Sequence, residues 1–302
     1  MSGPSILHLA AGVVLCPLLP GIINRLKAHV AGRTGQPVLQ LYHDLFKLLR
    51  KGAVYSRTTT DVFCAGPVVG LAATLGALAL VPFAGAAAPV SFSGDIVLFA
   101  YLLGLARFFT VIAALDTGSA FEGMGASREV TFSALAEPAL LLGLAAIARE
   151  TDSLSLTGMY DRIAVAWVHA GAAMVLVAAA LVLVFLAENA RIPVDDPDTH
   201  LELTMIHEVM VLDHGGPDLA MIHYAASLKM WVLGALLVGI AVPISSGNPW
   251  IDAPVAIGAM FVLAIMVGMV ESSMARLRQL RVPQLLVGAG ACSIIALALV
   301  AR

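Results

Sequence analysis

Long apolar stretches, separated by short polar or Gly/Pro-containing turns, run along the whole chain. Several of them, such as 164–187, carry about 20 residues without an Asp, Glu, Lys or Arg, the length that crosses about 30 Å of hydrocarbon. The pattern predicts about eight membrane-spanning helices, near 5–24, 62–84, 95–116, 130–149, 164–188, 219–243, 251–271 and 283–301. We therefore expect an all-α polytopic membrane protein that forms one membrane domain over 1–302.

Composition supports this expectation, because 60% of the residues are hydrophobic and only 12% are charged. Soluble domains usually have about 45–50% apolar and about 25% charged residues. The first apolar segment, 5–23, has neither a basic region before it nor a small-x-small cleavage site after it. We interpret it as a retained helix rather than a signal peptide.

The segment 36–52, between the first two predicted spans, is amphipathic. At 100° per residue its polar side chains fall in one narrow sector, and apolar side chains fill the remainder. The polar residues are Gln40, His43, Asp44, Lys47, Arg50 and Lys51. Two interpretations stay open: a helix that lies in the membrane surface, or a helix wedged between the spans and a partner protein. The mixture of Gln, His and Asp with basic residues favours the second.

The segment 189–218 is long and acidic. It sets seven carboxylates against one cation, Arg191, so an anionic lipid surface would not attract it. Asp198 can cap a helix that begins near Thr199 and ends near Leu212, before a Gly-Gly-Pro sequence. The carboxylates are Asp195, Asp196, Asp198, Glu202, Glu208, Asp213 and Asp218. We predict a partly helical cytoplasmic loop.

The distribution of Lys and Arg orients the chain. Most of them fall in the segments 25–61, 117–129, 189–218 and 272–282, and very few in the alternate segments. By the positive-inside rule these four segments face the cytoplasm, and both termini lie outside.

Ionisable side chains inside predicted spans are the strongest functional signal, since charges at membrane depth are costly. Arg107, Glu137 and Lys229 lie within spans, and Glu129 and Glu188 lie near inner ends. Carboxylates beside cations in a desolvated site can titrate near neutral pH and pass protons along bridging water. The alternative is that the charges pair only to hold the bundle together, and the two interpretations are compatible.

Glu122, Glu129 and Glu137 fall on one helix face if a single helix runs through them. The Gly-rich segment 118–127 is able to interrupt that helix, so the alignment is firm only for Glu129 and Glu137. For Glu271, at the inner end of a span, we favour a plain interfacial position with the carboxylate in water.

No redox or metal centre can be built from this chain. The cysteines Cys16, Cys64 and Cys292 share no short spacing, so zinc and iron-sulfur motifs are excluded. His200, His207 and His214 recur every seven residues, about 10.5 Å apart on a helix, which is too far to share a metal. We favour polar packing for them, with proton transfer as the alternative. The sequence has no phosphate-binding loop or hydrolase constellation, and we expect no nucleic-acid partner.

Three stretches together resemble a known family. The first is Arg33-Thr-Gly-Gln-Pro37 with Gln40, Asp44 and Lys47; the second runs from Asp116 through Arg128-Glu129 to Glu137-Pro138; the third is Glu188-Asn-Ala-Arg191-Ile-Pro193-Val-Asp195 leading to Glu202. Their order and spacing resemble the subunit 1 family of respiratory complex I over nearly the whole chain. Gln36-Pro37 and Val194 depart from the complex I pattern, and the sequence after Asp195 is similar to the branch found in group 4 nickel-iron hydrogenases.

The resemblance implies a non-catalytic coupling subunit in the cytoplasmic (inner) membrane, without cofactors of its own. Its partners would be hydrogenase large and small subunits, which carry the nickel-iron centre and iron-sulfur clusters, and antiporter-like membrane subunits. The acidic path for protons or sodium would comprise Glu129, Glu137, Glu188 and Glu202 with Arg107 and Lys229. Docking and coupling would involve Gln40, Asp44, Lys47, Arg128, Arg191, Asp195 and Asp196. Two alternatives remain: a quinone-site subunit of a complex I-like oxidoreductase, and a membrane anchor without ion conduction.

Overall fold

The computed structural model describes residues 3–195, 205–243 and 246–301, with the side chains of 3, 4 and 249 left aside. Its described residues form α-helices and connecting segments, so the all-α prediction is confirmed. The helices are α1 (Gly3–Leu15), α2 (Leu18–Val30), α3 (Gln40–Leu49), α4 (Asp61–Leu80), α5 (Asp95–Asp116), α6 (Ala120–Thr151), α7 (Leu156–His169), α8 (Gly171–Glu188), α9 (Gly216–Ala241), α10 (Pro249–Ser273) and α11 (Val282–Val300).

Seven of these helices are long and apolar enough to cross a membrane, and α1 with α2 makes an eighth span that is bent by 46°. The bend falls at Pro17, which lacks the N–H that would continue the helix. Two tyrosines satisfy carbonyls next to the bend: Tyr224 donates to the Val13 carbonyl at 2.7 Å, and Tyr42 of α3 donates to the Val14 carbonyl. The chain is thus a multi-pass membrane protein with about the predicted number of spans.

Several predicted elements are shorter than the sequence pattern indicated, among them the span predicted over 164–188, where α8 begins only at Gly171. The amphipathic helix spans Gln40–Leu49 rather than 36–52, because Arg25 donates to the carbonyls of Thr34 and Gly35 and holds the preceding backbone outside the helix. The predicted helix from 199 to 212 is wrong over its described part, where only a 3-10 turn at Glu208–Val211 forms.

The cause lies in side chains that occupy the backbone groups of this segment. The Ile206 N–H donates to Asp195 at 3.0 Å, and Arg128 donates to the Met205 carbonyl at 2.8 Å. Backbone groups held in this way are not free for helical hydrogen bonds. His207 and His214 consequently do not share a continuous helix, and His200 lies outside the described residues.

The Gly-rich segment 118–127, in contrast, is more helical than the sequence indicated. Helix α6 begins at Ala120 and continues unbroken through it, so Glu122, Glu129 and Glu137 do lie on one helix. The left-handed conformation that glycine favours is needed only at Gly118, whose φ is 71°.

Contacts between connecting segments define two ends of the bundle. At the terminal end, where α1 begins and α11 ends, Ser5 Oγ donates to the Ala87 carbonyl and the Gly94 N–H donates to the Leu154 carbonyl. At the loop end, which carries 31–60, 117–119, 189–195, 205–215 and 274–281, the Leu277 N–H donates to the Pro193 carbonyl at 2.9 Å. The loop end holds most of the connections between helices, and the terminal end holds the connection from α4 to α5.

Close packing at Gly125 holds the 205–211 segment against α6. A Cβ at this position would meet the side chain of Val209 and lie 2.9 Å from both Ile206 O and Met210 Cγ. We expect Gly125→Val to lower the free energy of unfolding by about 1–3 kcal/mol, the usual cost of overpacking. Thermal unfolding in detergent measures the loss. Gly123→Val on the same helix is the control, since a Cβ there meets nothing within 4 Å; equal losses would contradict the packing assignment.

Candidate functional site

Arg107, in the middle of α5, is the centre of a cluster of buried charges. Its Nε lies 3.0 Å from Glu129 Oε1, and its Nη2 lies 2.5 and 2.6 Å from the two carboxylate oxygens of Glu188. Its Nη1 donates to Glu137. One guanidinium therefore joins carboxylates from α6 and α8, a geometry that its planar fork of donors allows and a lysine would not.

Two further side chains extend this cluster. Lys229 of α9 places its Nζ 3.0 Å from the second oxygen of Glu188. His207 places its Nε2 3.5 Å from the Glu129 oxygen that does not face Arg107. Three carboxylates thus share Arg107 and Lys229, with His207 beside one of them.

Burial makes this arrangement energetically significant. The side chains of Arg107, Glu129 and Glu188 are 9%, 9% and 6% exposed, whereas that of Glu137 is 46% exposed. Arg107 stands nine residues from the end of α5, about 14 Å along the helix from the loop end. Uncompensated charges at such depth are costly, so the ion pairs account for the presence of these residues within spans.

A cavity of about 150 Å³ adjoins the cluster, between α4, α5, α9 and the 207–214 segment. It is large enough for several water molecules, and its polar lining offers the partners that buried water needs. The polar lining includes Arg107, Glu129, His207, His214, His223 and Lys229. Within the described residues, no group of three or more His, Cys, Asp or Glu side chains is placed to hold a metal ion.

A second ionic cluster lies at the loop end and corrects one expectation. Glu271 is not in water: its side chain is 0% exposed, 3.1 Å from Lys27 Nζ and 3.6 Å from Arg191 Nη1. The interfacial interpretation of Glu271 is therefore wrong, because two cations from other elements close over it. Close by in the chain, Arg276 pairs with Asp195 at 2.8 Å, so ion pairs hold 189–195 from two sides.

The residues expected to dock partners or couple loop movement are dispersed. Gln40 donates to Asp44 at 3.0 Å on α3, and Lys47 follows one turn later on the same helix. Arg128 holds the Met205 carbonyl, and Arg191 and Asp195 belong to the second cluster. Asp196 and Glu202 lie outside the described residues.

Sequence reasoning did not assign His207, Lys27 or Arg276 to these clusters. Each lies in or beside a connecting segment, and its partner is distant along the chain. A polar side chain in a loop gives no periodic signal, so the only hint was the unusual concentration of histidines and basic residues near span ends. Arg107, Glu129, Glu137, Glu188 and Lys229 could be singled out because they interrupt apolar spans.

Comparison with known proteins gives the context of this site. The family described as NADH dehydrogenase matches residues 5–301. Formate hydrogenlyase subunit 4 of Escherichia coli K12 is 31% identical over 270 residues, which cover 87% of each chain. Hydrogenase-4 component C of the same organism is 31% identical over 231 residues, covering 76% of this chain and 72% of the relative.

A solved structure shares the fold. A chain of the membrane-bound sulfane sulfur reductase, an archaeal respiratory membrane complex, superposes with a TM-score of 0.81 at 19% identity and covers 97% of this chain and 98% of its own length. The relatives are thus membrane subunits of hydrogenase and respiratory membrane complexes. The chain belongs to the NADH dehydrogenase family, as a member of its complex I subunit 1-like hydrogenase branch.

Proposed function

We propose that this chain is the membrane-anchoring and coupling subunit of an energy-converting nickel-iron hydrogenase complex, and that the Arg107 cluster is its path for protons or sodium. The observation that carries the proposal is the sharing of one buried guanidinium by Glu129, Glu137 and Glu188, beside a cavity whose wall includes several titratable side chains. Carboxylates in such a setting exchange protons when the position of the cation changes, because each ion pair that loosens makes its carboxylate a better proton acceptor.

The redox chemistry in this proposal belongs to partner subunits that dock at the loop end. Support comes from α3, whose described side chains are all at least partly exposed and include Phe46, Lys47 and Leu49. Movement at that surface would reach the Arg107 cluster through the 189–195 segment, which follows Glu188 directly and is held by Arg191 and Asp195. Antiporter-like membrane subunits would receive the ion.

A quinone-binding subunit is the second candidate, and the many apolar residues of the cavity wall favour it. Its volume of about 150 Å³ argues the other way, since pockets for drug-sized organic ligands usually have 300–1,000 Å³. Labelling of α3 or the cavity wall by a photoreactive quinone analogue would favour this candidate over the hydrogenase proposal.

The test of the ion path is Glu129→Gln in the assembled complex, in sealed membrane vesicles. We expect hydrogen turnover with an artificial electron donor to persist, and coupled ion movement to fall about a hundredfold, the lower range of what a positioned proton-transfer group contributes. Glu150→Gln, near the other end of α6, is the matched control and should leave ion movement unchanged. Full ion movement in the assembled Glu129→Gln complex would contradict the ion path and favour a membrane anchor without ion conduction.

A further inference from the structure

Another group of buried titratable side chains, separate from the Arg107 and Glu271 clusters, lies at the loop end: Glu122, His214 and Asp218. They are 0%, 6% and 7% exposed. Each has an atom without a hydrogen-bond partner among the described residues, namely Glu122 Oε2, His214 Nδ1 and Asp218 Oδ2. Buried polar atoms are rarely left unpaired, so three in one region require an explanation such as exchangeable protons or water.

Contacts made by these residues and their chain neighbours place them in one region, where Asp218 and Asp213 act electrostatically on His214. The Asp213 N–H donates to Glu122 Oε1 at 3.2 Å, which attaches the 212–215 turn to the start of α6. The next residue, His214, stacks on Phe63 with ring centroids 3.8 Å apart and an interplanar angle of 9°. Asp218 lies in the first turn of α9, and its carboxylate raises the pKa of the nearby Tyr55 hydroxyl.

His214 also connects this group to the Arg107 cluster, because it lines the same cavity as His207 and Glu129. Glu122 precedes Glu129 by two helical turns on α6, about 10.5 Å along the helix, and falls within roughly 20° of the same face. The cavity therefore has titratable groups from both sites in its wall: His214 from this group, and Glu129 and His207 from the Arg107 cluster.

We propose that Glu122, His214 and Asp218 form the proton-uptake site of the path, and that His214 carries the proton from the carboxylates into the cavity. This inference rests on the proposed function and adds the end of the bundle at which protons enter the path. A proton from bulk water binds a carboxylate of the site and passes to a nitrogen of His214. The other nitrogen releases a proton to cavity water, which delivers it toward His207 and Glu129. The neutral ring then carries its hydrogen on the nitrogen that accepted the proton, and tautomer exchange through water moves it to the other nitrogen before the next cycle.

The surroundings of His214 suit this role. Burial lowers the pKa of its imidazole, while Asp218 and Asp213 act in the opposite direction. The net direction favours the neutral ring, which has one nitrogen able to accept a proton. The remaining titratable groups around it are Glu122, Tyr55, His207 and Glu208. The stack on Phe63 fixes the plane of the ring.

The experiment compares His214→Ala with the parent complex in sealed vesicles whose loop end faces the medium. We expect coupled proton uptake to fall at least tenfold while hydrogen turnover persists, and added imidazole to restore much of it, because a diffusible base can replace the missing ring. His29→Ala, which removes an exposed histidine from α2, is the control. If His214→Ala fails to assemble, His214→Phe keeps a ring on Phe63 without a titratable group and should give the same loss.

The outcomes separate this inference from the proposed function. Normal uptake in the His214 variants, together with loss in Glu129→Gln, would overturn the uptake site and leave the ion path standing. Normal uptake in both would overturn both. Loss in His214→Ala that imidazole does not restore, with normal uptake in His214→Phe, would show that the ring serves only to pack against Phe63.

Discussion

Arg107→Ala is expected to lower the free energy of unfolding by about 3–5 kcal/mol, the cost of removing one partner from a buried ion pair. The loss falls at the upper end of this range because three carboxylates share the guanidinium, and Lys229 reaches only Glu188. The amount of folded chain in membranes and its thermal unfolding in detergent measure the effect. Arg149→Ala, which removes an exposed arginine near the end of α6, should change neither.

A double variant checks that charge, rather than the space left by the side chain, causes the loss. In Arg107→Ala with Glu129→Gln, a buried carboxylate that Lys229 does not reach is gone, so part of the stability should return. We expect an interaction energy of about 1–3 kcal/mol between the two positions, as for residues in one ionic network. Strictly additive losses would contradict the ion-pair account.

The spans were predictable because a helix that crosses a bilayer needs about 20 consecutive apolar residues. Such stretches can be identified in the sequence without knowledge of the packing. The breaks within spans were less accessible. The bend between α1 and α2 falls at Pro17 and is stabilised by tyrosines from α3 and α9, and the break at Ala170, between His169 and Gly171, lies in a stretch without Asp, Glu, Lys or Arg. Hydropathy predicts neither the bend nor the break, because both lie within apolar stretches.

The residues of the candidate site were likewise only partly predictable from the sequence. Arg107, Glu129, Glu137, Glu188 and Lys229 were identified because charges interrupt apolar runs, and their meeting follows from the cost of leaving any of them unpaired. His207 and Glu271 required the structure. The former sits in a segment whose backbone is held by Asp195 and Arg128, and the latter is buried only because Lys27 and Arg191 converge on it.

Glu271→Gln is expected to lower the free energy of unfolding by about 3–5 kcal/mol, because it leaves Arg191 buried without its carboxylate. The side chain of Arg191 is 7% exposed, so water cannot replace the lost partner, whereas Lys27 at 19% is closer to solvent. The 189–195 segment should then open locally, which hydrogen exchange of its backbone amides would detect. Glu150→Gln, which neutralises a partly exposed carboxylate near the terminal end, is the control.

The consequence for function follows from chain connectivity. Glu188 is the last residue of α8, and Arg191, which pairs with Glu271, lies three residues later. Loosening the Arg191–Glu271 pair should therefore loosen the backbone that positions Glu188 beside Arg107. Glu271→Gln should therefore weaken coupled ion movement without touching the Arg107 cluster directly. Adding Arg191→Gln removes the unpaired cation and should recover stability but not coupling, because 189–195 stays detached from α10. Recovery of both would mean that Glu271 serves only to neutralise Arg191.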